Sequence, residues 1–168
     1  MRLAAALLAP LLAAMLSGCG LQPLYGGGVD GPVRSTLSQI EVAPIEGQAG
    51  WLMGNALRDR LDNGGGAARY RLEVKLEDKI TGLGVRRDDS VTRERRSLRA
   101  RYQLVDQSSG TVVLDATAGS DAGIDVVSSE YATIAAERTA VENLTGTVAD
   151  QIVARLARFA QSGAAGTQ

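Results

Sequence analysis

The chain is 168 residues long, with 18 Lys and Arg against 19 Asp and Glu, one cysteine and no histidine. Without histidine there is neither a Ser-His-Asp triad nor a histidine metal site, and the balanced charge gives no basic footprint for nucleic acid. A lone cysteine cannot close an internal disulfide, so the fold must be held by its apolar core.

The N-terminus reads as a targeting signal. Arg2 precedes an apolar run, Leu3 to Leu16, interrupted only by Pro10. The run is shorter than the roughly 20 residues a membrane-spanning helix needs, and it matches the apolar stretch of a secretory signal. It ends in Leu16-Ser17-Gly18-Cys19, the lipobox pattern, in which small residues admit the peptidase and the Cys19 thiol takes a diacylglyceryl group. Residues 1–18 are therefore expected to be cleaved and Cys19 to be lipidated, each buried CH₂ adding about 0.8 kcal/mol of membrane affinity. Gly20 follows the cysteine where an Asp would favour the inner membrane, so the expected location is the periplasmic side of the outer membrane. Residues 19–36 are rich in Gly and Pro, lack periodicity, and read as a flexible tether reaching at most about 55 Å.

A single domain is expected over 37–160, with a disordered tail over 161–168. Ser38 to Ile45 alternates, Ile40 and Val42 sharing a face, and predicts a first strand with Pro44 at its end or on an edge. Trp51, Leu52, Ala56, Leu57 and Leu61 recur at helical spacing, and Asn63 with three glycines stops that helix. Tyr70, Leu72, Val74 and Leu76 then alternate with Arg71, Glu73, Lys75 and Glu77, a strand with one buried and one polar face. Gly82 and Gly84 weaken its end before a turn at Arg87 to Ser90. A third strand, Val91 to Asp106, places Leu98, Ala100, Tyr102 and Leu104 inward; Asp106 to Gly110 is a hairpin loop. Val112, Leu114, Ala116 and Ala118 give the inward face of a fourth strand. Ser128 or Ser129 caps a final helix with the stripe Ile134, Val141, Leu144, Val148, Ile152, Leu156 and Phe159; its expected length is about 45 Å. The order β-α-β-β-β-α predicts an α+β two-layer sandwich, a four-stranded mixed sheet with two helices on one face and a right-handed crossover between the parallel first strands.

The uncovered sheet face should carry Lys75, Arg93, Arg95, Arg99 and Arg101, together with Arg71 and Gln103. Seven arginines fall between Arg86 and Arg101, against Asp88, Asp89 and Glu94. One reading is a solvated face whose arginine stems cover apolar surface. The other is a surface for phosphate or carboxylate, which the planar guanidinium grips in bidentate fashion; in a Gram-negative envelope that ligand would be lipopolysaccharide. The carboxylate pairs Glu77-Asp78 and Asp88-Asp89 lie in charged stretches that read as solvated surface, and the glycine triplets lack the context of a phosphate cradle. No enzymatic activity, metal or cofactor beyond the covalent lipid is expected.

Cys19-Gly20-Leu21-Gln22-Pro23-Leu24-Tyr25-Gly26 resembles the mature start of the LptE family of lipopolysaccharide-assembly lipoproteins, usually Cys-Gly-aromatic-x-Pro-Leu-Tyr-Gly. Leu21 departs from the aromatic. The resemblance continues through Pro44, Leu57-Arg58-Asp59-Arg60-Leu61, Tyr70-Arg71-Leu72-Glu73-Val74, Tyr102-Gln103-Leu104-Val105-Asp106, Ser129-Glu130-Tyr131-Ala132 and the Ala-rich last helix. It implies an outer-membrane lipoprotein that plugs the lumen of the β-barrel LptD and takes part in inserting lipopolysaccharide into the outer leaflet. An auxiliary lipoprotein of a periplasmic enzyme or a lipid-transport ABC system would share the lipobox and a small α+β domain, but not Pro23-Leu24-Tyr25-Gly26.

Overall fold

A computed structural model describes residues 31–61, 67–85 and 91–165. The expected cleaved segment, Cys19 and most of the tether lie outside these residues, as does the predicted turn at 87–90. The elements are α1 (Pro32–Leu37), β1 (Ile40–Val42), α2 (Gly47–Leu61), β2 (Tyr70–Val85), β3 (Val91–Asp106), β4 (Thr111–Asp125) and α3 (Glu130–Ala165).

The strands form one four-stranded sheet in the order β1-β2-β3-β4. β1 runs parallel to β2, and the other neighbours are antiparallel. The helices cover one face. Between them and the sheet lie Met53, Leu57 and Leu61 of α2, Leu72, Leu98, Tyr102 and Leu104 of the strands, and Val148, Ile152 and Leu156 of α3, all at most 2% exposed. Tyr70 and Phe159 close one end edge to face, 6.1 Å apart at 88°. The α+β sandwich, its mixed sheet and its parallel start therefore follow the sequence pattern.

Several boundaries differ, each for a local reason. β1 has three residues: Ala43 N–H makes the last ladder bond, to Leu72 C=O, and the chain then leaves the sheet through Pro44, which stands on the outer edge where its missing N–H costs no ladder bond. The chain is already helical at Pro32–Leu37, within and just beyond the segment read as tether, and Val33 and Leu37 enter the core. Proline at the helix start makes that turn cheap, since its missing N–H would have no helical partner. At the other end α3 runs 36 residues to Ala165, about 54 Å, taking in residues 161–165 of the predicted tail. None of the described helices is long and apolar enough to cross a membrane.

Three side chains move off their expected faces. Trp51 is 66% exposed, and the buried stripe of α2 is Gly50, Met53, Gly54, Leu57 and Leu61. A bulge beside Leu104/Val105 pairs Val105 with Val112, turning Val112 outward. Ile134 is 49% exposed; the core-facing stripe of α3 begins at Ala140 and Val141. Ser129 caps α3 as expected, its Oγ accepting from Ala132 N–H.

Candidate polar interface on the open sheet face

Strand register decides what this face presents. Successive cross-strand rows from β2 through β3 to β4 read Glu73, Gln103, Asp115; Lys75, Arg101, Thr117; Glu77, Arg99, Gly119; Lys79, Ser97, Asp121; Thr81, Arg95, Gly123; Leu83, Arg93, Asp125. Lys75, Arg93, Arg95, Arg99 and Arg101 thus share one face, as their alternation requires.

The arginines face an acidic strand that the sequence reading did not bring beside them. Arg101 reaches Asp115 at 2.9 Å, Arg99 reaches Asp121 at 2.8 Å, and Arg93 lies 3.5 Å from Asp125. Gln103 also donates to Asp115. The Asp115 carboxyl is held below its ordinary range by the Arg101 and Gln103 hydrogen bonds, and that of Asp121 by Arg99 and Ser97. Arg101 is correspondingly raised by Asp115. The signal was present in Asp115, Asp121 and Asp125, which stand an even number of residues apart; only the hairpin register sets them opposite the arginines.

Lys75 has no ion pair among the described residues, and Arg95 acts on Asp121 only through its charge. At the centre of the face the missing side chain of Gly119 and the short Thr117 leave a shallow cavity of about 730 Å³ lined by Lys75, Glu77, Arg99 and Arg101. The Arg99 side chain lies where a Gly119 Cβ would stand. The face is therefore a lattice of paired charges with two less engaged cations, and its chemistry is that of polar docking.

Arg96, adjacent in sequence, points the other way. Its Nε and Nη2 donate to the two Asp78 carboxylate oxygens at 2.9 and 2.6 Å, and its Nη1 donates to the Glu137 carbonyl of α3 at 2.9 Å. With side chains 15% and 24% exposed, this pair belongs to the helix layer and not to the open face.

A family model described as LptE, lipopolysaccharide-assembly, matches residues 37–156. A search of curated proteins returns no match. Among solved structures, a protein described as a lipoprotein of Caulobacter crescentus CB15 is 26% identical with a TM-score of 0.65, over 78% of this chain and 98% of that one. A minor lipoprotein from Acinetobacter baumannii is 13% identical, with a TM-score of 0.59 over 72% of this chain and 92% of that one. The rare lipoprotein B from Shewanella oneidensis is 12% identical, with a TM-score of 0.55 over 71% and 96%. The last two likenesses establish the fold alone.

Proposed function

The chain belongs to the LptE lipopolysaccharide-assembly family, and from that premise we propose that it is an outer-membrane lipoprotein that seats inside the LptD β-barrel and supports its assembly. Family membership over residues 37–156 is the observation that carries this reading. A barrel lumen is polar, so a body filling it needs a dry core and charged outer surfaces. The helix-sheet core together with the Arg-Asp lattice of the open face meets that need. The anchor belongs to the same reading: lipid on Cys19 would hold the domain at the inner leaflet, and the Caulobacter relative is itself described as a lipoprotein. The role is one of binding and assembly, and no step of it calls for a catalytic group.

Lys75 and Arg95 are the cations of this face best placed to meet lipopolysaccharide phosphates, with Arg93, Arg99 and Arg101 held toward β4. Copurification from detergent-solubilised outer membranes tests the main reading: an LptD-sized barrel should come down with the chain, and its absence defeats the assignment. For the contact residues, Lys75→Ala with Arg95→Ala should weaken lipopolysaccharide binding roughly three- to tenfold at moderate salt. Arg99→Ala with Arg101→Ala should weaken it less; equal effects would refute this ranking.

A further inference from the structure

Four of the seven large apolar side chains left exposed among the described residues stand at one end of the molecule: Ile80, Val127, Tyr131 and Ile134. Register and chain connection bring them together. Ile80 is the cross-strand partner of Arg96, and Arg96 reaches across to the Glu137 carbonyl. Ile134 lies one helical turn before Glu137, Tyr131 one turn earlier, and Val127 in the short connection between β4 and α3. Ile134 also stands seven residues before Val141 and fourteen before Val148, which puts it on the core-facing side of α3. It is half exposed because the sheet opposite supplies little cover: Gly82 has no side chain, and Ile80 is itself exposed. An unfilled corner is left between the end of the sheet and the first turns of α3. An apolar patch of this kind marks an interaction site.

The corner also holds negative charge that nothing answers. Glu94, two residues from Arg96 and paired across the sheet with Gly82 and Ile124, shares the helix-side face. Its Oε2 is buried and has no hydrogen-bond partner. Arg96 does not serve it, because each of its nitrogens is already engaged, Nε and Nη2 by Asp78 and Nη1 by the Glu137 carbonyl. The Glu137 carboxylate adds a further negative charge within reach of that one guanidinium. An acceptor left bare away from water is costly. Glu94 as a whole is only partly covered, and its terminal torsion is broad, so the carboxyl can turn toward a donor arriving from outside. A cation on a long aliphatic stem suits both features: the stem lies on the isoleucines and the head meets the carboxylate. Anionic lipid is repelled by the same charges.

We propose that this corner docks a segment of a partner protein, which sets a lysine or arginine side chain between Ile80 and Ile134 with its head on the Glu94 carboxylate. Apolar neighbours of that residue would lie against Tyr131 and Val127. A cation desolvated in this way is an anchor of the kind that dominates an interface, and the exposed apolar rim excludes water around it. The corner is far from the Arg-Asp lattice in chemistry, since it asks for a cation where the open face offers cations. The inference rests on these residues alone and stands whether or not the barrel reading holds: a barrel that copurifies without touching this corner defeats the one and leaves the other.

The test is photo-crosslinking of the full chain in living cells, with p-benzoylphenylalanine in place of Tyr131 or Ile134. Both positions should give an adduct with one other protein, and Glu94→Lys should reduce it about tenfold at equal chain abundance. Mass spectrometry then locates the crosslinked position on the partner. Changing the partner's nearest lysine or arginine to glutamate should abolish the adduct of the unchanged chain and restore that of the Glu94→Lys chain. No adduct, an adduct of twice the chain mass, an adduct with lipid, indifference to Glu94→Lys or failure of the charge swap overturns the proposal. A second measurement uses the purified chain. If Glu94 waits for an outside donor, Glu94→Met removes an unanswered acceptor and should raise the urea midpoint by about 0.5 M; a lower midpoint would give Glu94 a structural role and overturn the proposal. Arg86 and Arg87 lie outside the described residues and are the chain's own nearby cations in sequence. Arg86→Gln with Arg87→Gln should leave the midpoint in place. A fall that disappears in the Glu94→Met background would show that the chain supplies the cation itself, which also overturns the proposal.

Discussion

Gly50 shows how a single residue can be fixed by its neighbour's backbone. A Cβ there would meet the Ile45 carbonyl oxygen at 2.7 Å and its carbon at 2.8 Å, so the first turn of α2 lies directly on the segment that follows β1. Helix propensity alone favours Gly50→Ala by about 1 kcal/mol, whereas forcing apart a packed backbone contact costs about 1–3 kcal/mol. The contact is with backbone, which yields least, so the clash should win and urea denaturation should show a net loss of up to about 2 kcal/mol. Asp115 and Asp121 illustrate the electrostatic side. The arginines hold their carboxyls below the ordinary carboxylate range in the folded chain, so between the folded and unfolded pKa values the unfolded state binds more protons. Their contribution is fully present above about pH 4 and is lost as pH falls through the lowered folded values. Asp115→Asn combined with Asp121→Asn should therefore flatten part of the acid limb of a stability-pH profile and change little of its shape above pH 5, as read from urea midpoints across pH 7 to 3.

At the level of elements, the sheet outruns its short helix. β2 and β3 are 16 residues each, while α2 has 15 residues at 1.5 Å rise. Toward the distal strand ends, the Arg96 bridge to Asp78 and the Glu137 carbonyl fastens β2 and β3 to the N-terminal part of α3. Arg96 is raised above its ordinary value by its hydrogen bond to Asp78. Arg96→Met removes the bridge and leaves Asp78 partly buried without its partner, which should cost about 1–3 kcal/mol. The cost should concentrate at one end, so hydrogen exchange should accelerate in residues 130–137 and barely change in residues 148–157. Uniform acceleration along α3 would show that the bridge does not act locally. Asp106 marks the opposite end. Its carboxyl accepts from the Ser108 hydroxyl and backbone N–H and lies near Arg69, and it is held below its ordinary range by these groups in that order. It closes the 106–110 hairpin, which sets the register that pairs the arginines with the aspartates.

At the scale of the molecule, stability rests on one core shared by all three helices and the sheet. Leu57 is fully buried at its centre, and Leu57→Ala should lose about 2–5 kcal/mol in a single cooperative transition by calorimetry; separate transitions for helices and sheet would contradict a common core. The sheet and the main helices were legible because each strand alternates cleanly and α3 repeats its apolar residues at steps of three and four. Trp51 was misplaced because its spacing fits a helical stripe as well as Met53 does, and only the close seat of Gly50 on Ile45 rotates α2 to bury one and expose the other. Val112 was misplaced because a bulge inserts a residue without changing the alternation that precedes it.

By itself the sequence determined the layered α+β architecture, the parallel start of the sheet and the polarity of its open face, because these follow from local periodicity and connection length. It also carried the family likeness. Tertiary structure alone decided what the arginine stripe means: strand register is a long-range property, and it spends Arg93, Arg99 and Arg101 on the aspartates of β4. The same register leaves Lys75 of β2 without an ion pair among the described residues.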